Sequence, residues 1–402
     1  MNRPKLLITH PWVGRGGSEA TAMWTLEALQ DDFEVTFSTA SPLDFDGLNK
    51  AFGTKVDPDK IRFIRAPRIP SVNSPFRLVH LQARYFERFC QKLAREVDCC
   101  LSTYNPVQFG RPGIQLIGDF SFSEEMRKRL YIYGDDKFCH RETILRRLYL
   151  TFVKLISMPQ IPLAERGDLI LANSEWSAKQ LDEHFNVSEA KVIHPPVVLP
   201  EAPVNSVRDP LGFVCLGRVV PEKEIDRIIS ILEMVREEGF PVTLSLIGQL
   251  DDSPYSCRIR EMISSREWIT PEGFLTLGDK QKVLAAKSFA LHACRIEAFG
   301  IAVAEMASMG CVPIIPSSGG AGEIVSFPEL QFESNEECCA NIIELLKNPE
   351  RVAALREELS SSVSRFGPKV FMSELREHLM KFTGLNKTSN HAKSIQNLAA
   401  TH

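Results

Sequence analysis

Arg295-Ile296-Glu297-Ala298-Phe299-Gly300-Ile301-Ala302-Val303-Ala304-Glu305 sets two glutamates eight positions apart around an Ala-Phe-Gly turn that opens a helix. A turn feeding a helix N-terminus leaves backbone N–H groups unpaired beside the positive end of the helix dipole, and together these hold a phosphate. Glu297, before the helix, and Glu305, inside it, would flank that phosphate, and carboxylates accept hydrogen bonds from sugar and ribose hydroxyls. The spacing suggests a nucleotide-sugar site. A blander reading buries Ile301, Ala302, Val303 and Met306 and leaves both glutamates in water, so the rest of the chain has to separate the two.

The same half carries Val214-Cys215-Leu216-Gly217-Arg218-Val219-Val220-Pro221-Glu222-Lys223, a buried strand running into a turn with Arg218 and Lys223 five apart. Apolar residues at helical spacing follow: Ile225, Ile228, Ile229, Leu232 and Val235. Arginine offers phosphate oxygens a fixed fork of donors and lysine a mobile point charge, so the pair suits a diphosphate leaving group. Alone, such a pair is ordinary surface charge.

Working outward, strand and helix alternate twice over. Strands are expected at residues 5–10, 35–38, 99–102, 114–117 and 169–172. Prolines 195, 196, 200, 203 and 210 crowd a polar linker, and strands resume at 213–216, 243–247, 275–277, 289–292 and 312–315. Residues 369–382 have helical apolar spacing. A chain of 402 residues is too long for one ordinary core and fits two domains. A net charge of -4 gives no general attraction to nucleic acid. Ten cysteines include no C-x-x-C pair, so buried reduced thiols and a cytoplasmic location are expected. Pro11 and Arg15 interrupt the apolar run near the start and no stretch approaches the length of a membrane span, so no integral membrane segment is expected.

Further runs complete a pattern: Gly14-Arg15-Gly16-Gly17-Ser18-Glu19, Leu171-Ala172-Asn173-Ser174, Val192-Ile193-His194-Pro195-Pro196-Val197, Leu246-Ile247-Gly248 and Ser318-Gly319-Gly320-Ala321-Gly322-Glu323. In this order, over about residues 5–385, the chain resembles the retaining glycosyltransferases of family 4. The wording around His292 and Glu297 is most similar to the branch that elongates lipid-linked or envelope oligosaccharides. The resemblance implies an α/β, GT-B fold: two Rossmann-like doubly wound domains facing a cleft. Residues 1–200 would form an acceptor-side domain and 208–365 a nucleotide-sugar-binding domain. Residues 366–385 would form a helix crossing back to the first domain, and 386–402 a disordered tail.

For the site, the resemblance implies that Arg218 and Lys223 neutralise the departing diphosphate with the amides of Phe299, Gly300 and Ile301. Glu297 would hold sugar hydroxyls, Glu305 the ribose, and Gly16 and Gly17 would turn amides toward the donor phosphates or the acceptor. His292 matches a family position, although a hydrogen-bonded core histidine fits it equally. Retention in this family is attributed to attack from the leaving-group face, the departing phosphate taking the acceptor proton, so no enzymic base is needed. The donor would be a UDP- or GDP-sugar acting as co-substrate, with no other cofactor.

A rival reading, a nicotinamide-dependent dehydrogenase, fails on detail. Glu19 stands where G-x-G-x-x-G needs its third glycine, and Phe37-Ser38-Thr39-Ala40 lacks the carboxylate that grips a ribose. No metal is expected, because the adjacent pairs Asp31-Asp32, Asp135-Asp136 and Asp251-Asp252 read as solvated turn carboxylates. Two departures from the family stand out. Gly118-Asp119 occupies the place of a histidine that contacts the transferred sugar, making Asp119 a candidate catalytic group. Glu224 follows Lys223 where a small or amide residue is common, and would weaken the pull of that lysine on phosphate.

Residues 121–162 show helical apolar spacing (Leu145, Leu148, Tyr149, Phe152, Leu155, Ile156) among Arg127, Lys128, Arg129, Arg146, Arg147 and Lys154. Such a segment either packs on its own domain or lies on an anionic membrane. The expected function is a retaining, metal-independent glycosyltransferase acting on a glycan or glycolipid, cytoplasmic, either free or peripheral on the inner face of the membrane. The alternative is a catalytically silent nucleotide-sugar or glycan-binding subunit, which the Asp119 departure permits.

Overall fold

Apolar runs too short for helices, and buried on both faces, form parallel strands when helices cover the sheet from both sides. The computed structural model describes residues 3–14, 16–69, 78–130, 143–157, 159–200 and 206–384, and has two such sheets. The first contains β1 (Lys5–Thr9), β2 (Glu34–Thr39), β3 (Ile61–Arg65), β4 (Cys99–Ser102), β5 (Ile114–Ile117), β6 (Leu169–Ala172) and β7 (Lys191–Val192), in the order β3-β2-β1-β4-β5-β6-β7. The second contains β8 (Asp209–Leu216), β9 (Thr243–Ile247), β10 (Ile269–Gly273), β11 (Lys287–Leu291), β12 (Val312–Pro316) and β13 (Gln331–Phe332), in the order β10-β9-β8-β11-β12-β13. Every described pairing is parallel.

In both sheets the order reverses beside the first strand, between β1 and β4 and between β8 and β11. Loops leaving the carboxyl ends of strands at such a reversal diverge and open a crevice. The two doubly wound sheets meet there. The helix Pro368–Thr383 leaves the second half and buries Phe371, Leu375 and Leu379 in the core of the first, with Leu6, Met23 and Leu26. Arg376 Nε reaches Asp32 at 3.1 Å on the same face.

The strand expected at 275–277 is not there. Thr276 caps a helix, Leu277–Ala285, its hydroxyl accepting from the Asp279 amide, and the edge strand lies earlier, at β10. The short edge strands β3, β7 and β13 carry little of the apolar patterning that marks inner ones. Among the described residues of 121–162 lie two helices, Glu124–Leu130 and Ile144–Ile156. Asp135, Asp136 and the tail 386–402 lie outside the described residues. The nine described cysteines are free thiols, and all but Cys257 are buried. No described helix is long and apolar enough to cross a membrane.

Candidate active site

β8 ends at Leu216, and its exit loop carries Arg218, exposed, and Lys223, the last residue of a 3-10 turn Pro221–Lys223. β11 is followed at once by His292, Cys294 and Glu297. Because the two strands are neighbours, the loops converge: the Lys223 ammonium is ion-paired with Glu297 Oε2, and His292 Nε2 lies 3.3 Å from the same oxygen. Burial alone would raise the Glu297 carboxyl, but Lys223 and His292 outweigh it and hold the group far below its ordinary range. Burial likewise works against the Lys223 charge, and Glu297 reverses it, so the ammonium is held above its ordinary value. His292 is buried and its pKa lowered by that burial, opposed by Glu297.

His292, Cys294 and Glu297 offer three ligand atoms within 4.8 Å of one another. Two features oppose a metal there. Lys223 already supplies the cation on Glu297, and burial pushes the Cys294 thiol up to about 11. Glu224 does not pair with Lys223 among the described contacts. It takes a left-handed backbone (φ 47°), a conformation that favours Gly or Asn, and its Oε2 accepts from Arg295 Nε at 3.1 Å and Nη2 at 2.7 Å. Its carboxylate is therefore turned to Arg295 rather than to Lys223.

Gly300, at φ 100°, caps the helix Ile301–Ser308 and turns its first-turn amides, without intrahelical partners, toward the crevice end of the sheet. Phe299 contributes only backbone. Its ring is 1% exposed and packs against Phe366 at 5.1 Å and His194 at 5.4 Å. Within the helix, Glu305 is held by Lys280 Nζ at 2.7 Å, each side chain keeping 18% of its surface.

The facing wall comes from the first sheet. Glu19 turns back over its own glycine-rich turn and accepts from the amides of Gly14 and Gly16 at 3.1 and 3.0 Å. The Gly16 amide is thus committed to Glu19, while that of Gly17 has no hydrogen-bond partner among the described residues. A Cβ on Gly17 would stand 2.8 Å from Ile301 Cδ1, closer than carbon atoms pack, so the halves touch at this point. Asp119, after β5, accepts from the Tyr104 hydroxyl at 2.7 Å and the Ser121 amide at 2.9 Å. Burial and Asp119 hold the Tyr104 phenol well above its ordinary value, and the Arg218 charge from the other wall pulls it back. Arg218 and the Tyr104–Asp119 pair therefore share one field across the crevice.

Further polar contacts, one of them fully buried, join the halves. The Ser174 hydroxyl donates to the Ala298 carbonyl at 2.5 Å. The Glu323 carboxylate accepts from the Trp176 amide at 3.0 Å, at the head of the helix Glu175–Phe185, and lies 3.1 Å from His194 Nε2. Tyr104 and Lys280 carry no sequence signal, because each reaches the crevice from a loop or helix start without a motif. Ser174 and Glu323 stand inside quoted runs, but their partnership across the halves is invisible locally.

Residues 202–361 match the family described as Glycosyl transferases group 1. A Dictyostelium discoideum protein described as GDP-Man:Man(3)GlcNAc(2)-PP-Dol alpha-1,2-mannosyltransferase is 18% identical over 435 residues, covering 96% of this chain and 86% of that protein. Among solved structures, Anabaena HepE in complex with UDP-glucose is similar with a TM-score of 0.69 at 16% identity, over 94% of this chain and 100% of that one. WaaG, a glycosyltransferase involved in lipopolysaccharide biosynthesis, gives 0.64 at 16% identity, over 89% and 95%. These matches give the chain the GT-B fold and a group 1 glycosyltransferase domain.

Proposed function

We propose that the chain is a retaining glycosyltransferase of family 4 that moves a sugar from a UDP- or GDP-sugar to a lipid-linked glycan. The observation that carries the reading is the meeting of Lys223, His292 and Glu297 beside exposed Arg218, at the mouth of a helix and at the reversal point of a doubly wound sheet. Sugar transfer needs negative charge neutralised on the departing phosphate and positive charge tolerated at the anomeric carbon. Arg218 and Lys223 supply the first, with the amides at the head of Ile301–Ser308. Lys223 has three N–H donors, so it can hold Glu297 and a phosphate oxygen together.

Glu297 then accepts from sugar hydroxyls with its remaining lone pairs, and Glu305, oriented by Lys280, accepts from the ribose. Asp119, fixed by Tyr104, faces the transferred sugar and favours developing positive charge. This reading calls on no divalent cation, since Arg218, Lys223 and the amides at the helix head would answer the charge of the diphosphate. A lipid-linked acceptor and a GDP-linked donor follow the Dictyostelium relative's description; a UDP-linked donor follows the ligand of the HepE structure.

The test is transfer from a panel of UDP- and GDP-sugars to a lipid-linked oligosaccharide in excess chelator, with the anomeric configuration of the product read by NMR. An axial donor giving an axial product supports the reading. An inverted product, or loss of turnover restored by magnesium or manganese, overturns it. Donor binding without transfer to any acceptor leaves the silent-subunit alternative.

A further inference from the structure

The helix Ile144–Ile156 has two faces of opposite character. Its inner face holds the protein: Val153 is 6% exposed, the Tyr149 hydroxyl accepts from the Leu81 amide at 3.1 Å, and Arg146 grips Glu124 at 2.7 Å. Its outer face is apolar and in water. Leu145, Leu148, Phe152 and Leu155 are 79, 62, 52 and 78% exposed, and Ile144 is 78% exposed beside them. Spacings of three, four and three residues put the first four in one stripe about 15 Å long. Soluble surfaces carry single exposed leucines routinely, but a continuous stripe of large apolar side chains marks a surface that is meant to be covered.

Charge identifies what covers it. Residues 143–157 contain no Asp or Glu, and Arg147 and Lys154 run along one edge of the stripe, at the angle where long basic side chains can rise past the apolar layer. Two copies packed on this face would bring the Arg147 and Lys154 edges of this helix, which has no acidic residue of its own, against each other. We propose that the helix Ile144–Ile156 lies on an anionic lipid surface, with the leucine stripe among the acyl chains and Arg147 and Lys154 at the headgroups. This deepens the acceptor reading above and rests on it for its purpose. Arg146 and His80 hold Glu124, and Glu124 opens the helix five residues after Asp119, so the surface helix is tied to the loop facing the crevice. A lipid-linked acceptor can therefore stay in the membrane while its glycan reaches the site.

The experiment is flotation of the full chain with phosphatidylcholine vesicles, with and without phosphatidylglycerol. Binding is expected with the anionic lipid, weaker without it and weakened by salt. The double variant Leu148→Glu, Leu155→Glu should lower the bound fraction about tenfold or more. Its melting temperature should not change, since both side chains already face water, and Val207→Glu, 97% exposed in the other half, should float as wild type. Absence of wild-type flotation, or equal flotation of the double variant, overturns the proposal. So does a wild-type dimer, without vesicle binding, that the double variant makes monomeric. A chain that floats but transfers no sugar overturns the proposed activity alone; one that transfers to a lipid-free acceptor but does not float overturns only the membrane surface.

Discussion

The Lys223 ammonium rests on the Glu297 carboxylate, and the two residues belong to loops leaving neighbouring strands of one sheet. The principal cation of the site is therefore half-neutralised before any phosphate arrives. Its partner must be shared with the substrate.

Glu297→Gln keeps the shape and removes that neutralising charge. We expect affinity for the free nucleoside diphosphate to be unchanged or higher, because Lys223 then answers to phosphate alone, and transfer to fall, because the sugar contact is weakened. Calorimetric titration beside a turnover assay checks this, and an affinity that falls in step with turnover would contradict it.

Arg218 and Lys223 should part company when stability is measured. Either change to Ala should lower turnover by about a hundredfold or more, since both contacts strengthen as the phosphate leaves. Lys223→Ala also strands Glu297 in a mostly buried place and should cost about 2 kcal/mol of stability, less than a fully buried pair because 22% and 17% of the side-chain surfaces stay wet. Arg218, exposed, should cost nothing measurable. Denaturant titration of both variants separates them; equal losses would mean that Arg218 has a structural partner.

Removing the Glu305 carboxylate should weaken donor and free nucleoside diphosphate alike, since the ribose is common to both. Each hydrogen bond to a charged group is worth roughly 1.5 to 3 kcal/mol. Lys280→Ala, which releases Glu305 from its 2.7 Å partner, should give a smaller loss of the same kind. Tight nucleotide binding by Glu305→Ala would remove the ribose role.

His10 predicts a pH dependence of folding. Burial lowers it from 6.5 to about 4, against the pull of Glu19 4.0 Å away. Its folded pKa is below the unfolded one, so between those values the unfolded chain binds the extra proton and stability rises with pH. The neutral imidazole's contribution is complete above about pH 6.5 and is lost as pH falls toward 4, about 2 kcal/mol of it by pH 5. Melting temperature at pH 7 and pH 5 checks this: wild type should lose more than His10→Asn, and identical losses would refute it.

Much of this arrangement is legible from the chain. Arg218, Lys223, His292 and Glu297 each stand in a short run joining a strand end to a helix start, and parallel topology brings those junctions together whatever the loops do. Tyr104, Lys280 and the Glu323–Trp176 contact are not legible, because they depend on how distant elements pack. The error at Leu275-Thr276-Leu277 has a local cause: two leucines around a threonine read as a strand, whereas the threonine hydroxyl nucleates a helix by capping the Asp279 amide. Glu224 in a left-handed turn is a similar case, a conformation that its residue type does not favour at a helix start where its carboxylate is held by Arg295.

The approach of Gly17 to Ile301 gives the molecule the mechanics of a clamp with a stop. Ser174 against Ala298 and Glu323 against Trp176 act as the fulcrum, and Gly17 and Ile301 are where the jaws strike. What meets Gly17 there is only the terminal methyl of Ile301, the tip of a side chain that can turn aside. Gly17→Ala should therefore be a soft shim that the Ile301 side chain yields to, leaving the radius of gyration in small-angle scattering near that of wild type, whereas Gly17→Trp, too large to be yielded to, should hold the jaws ajar and enlarge it.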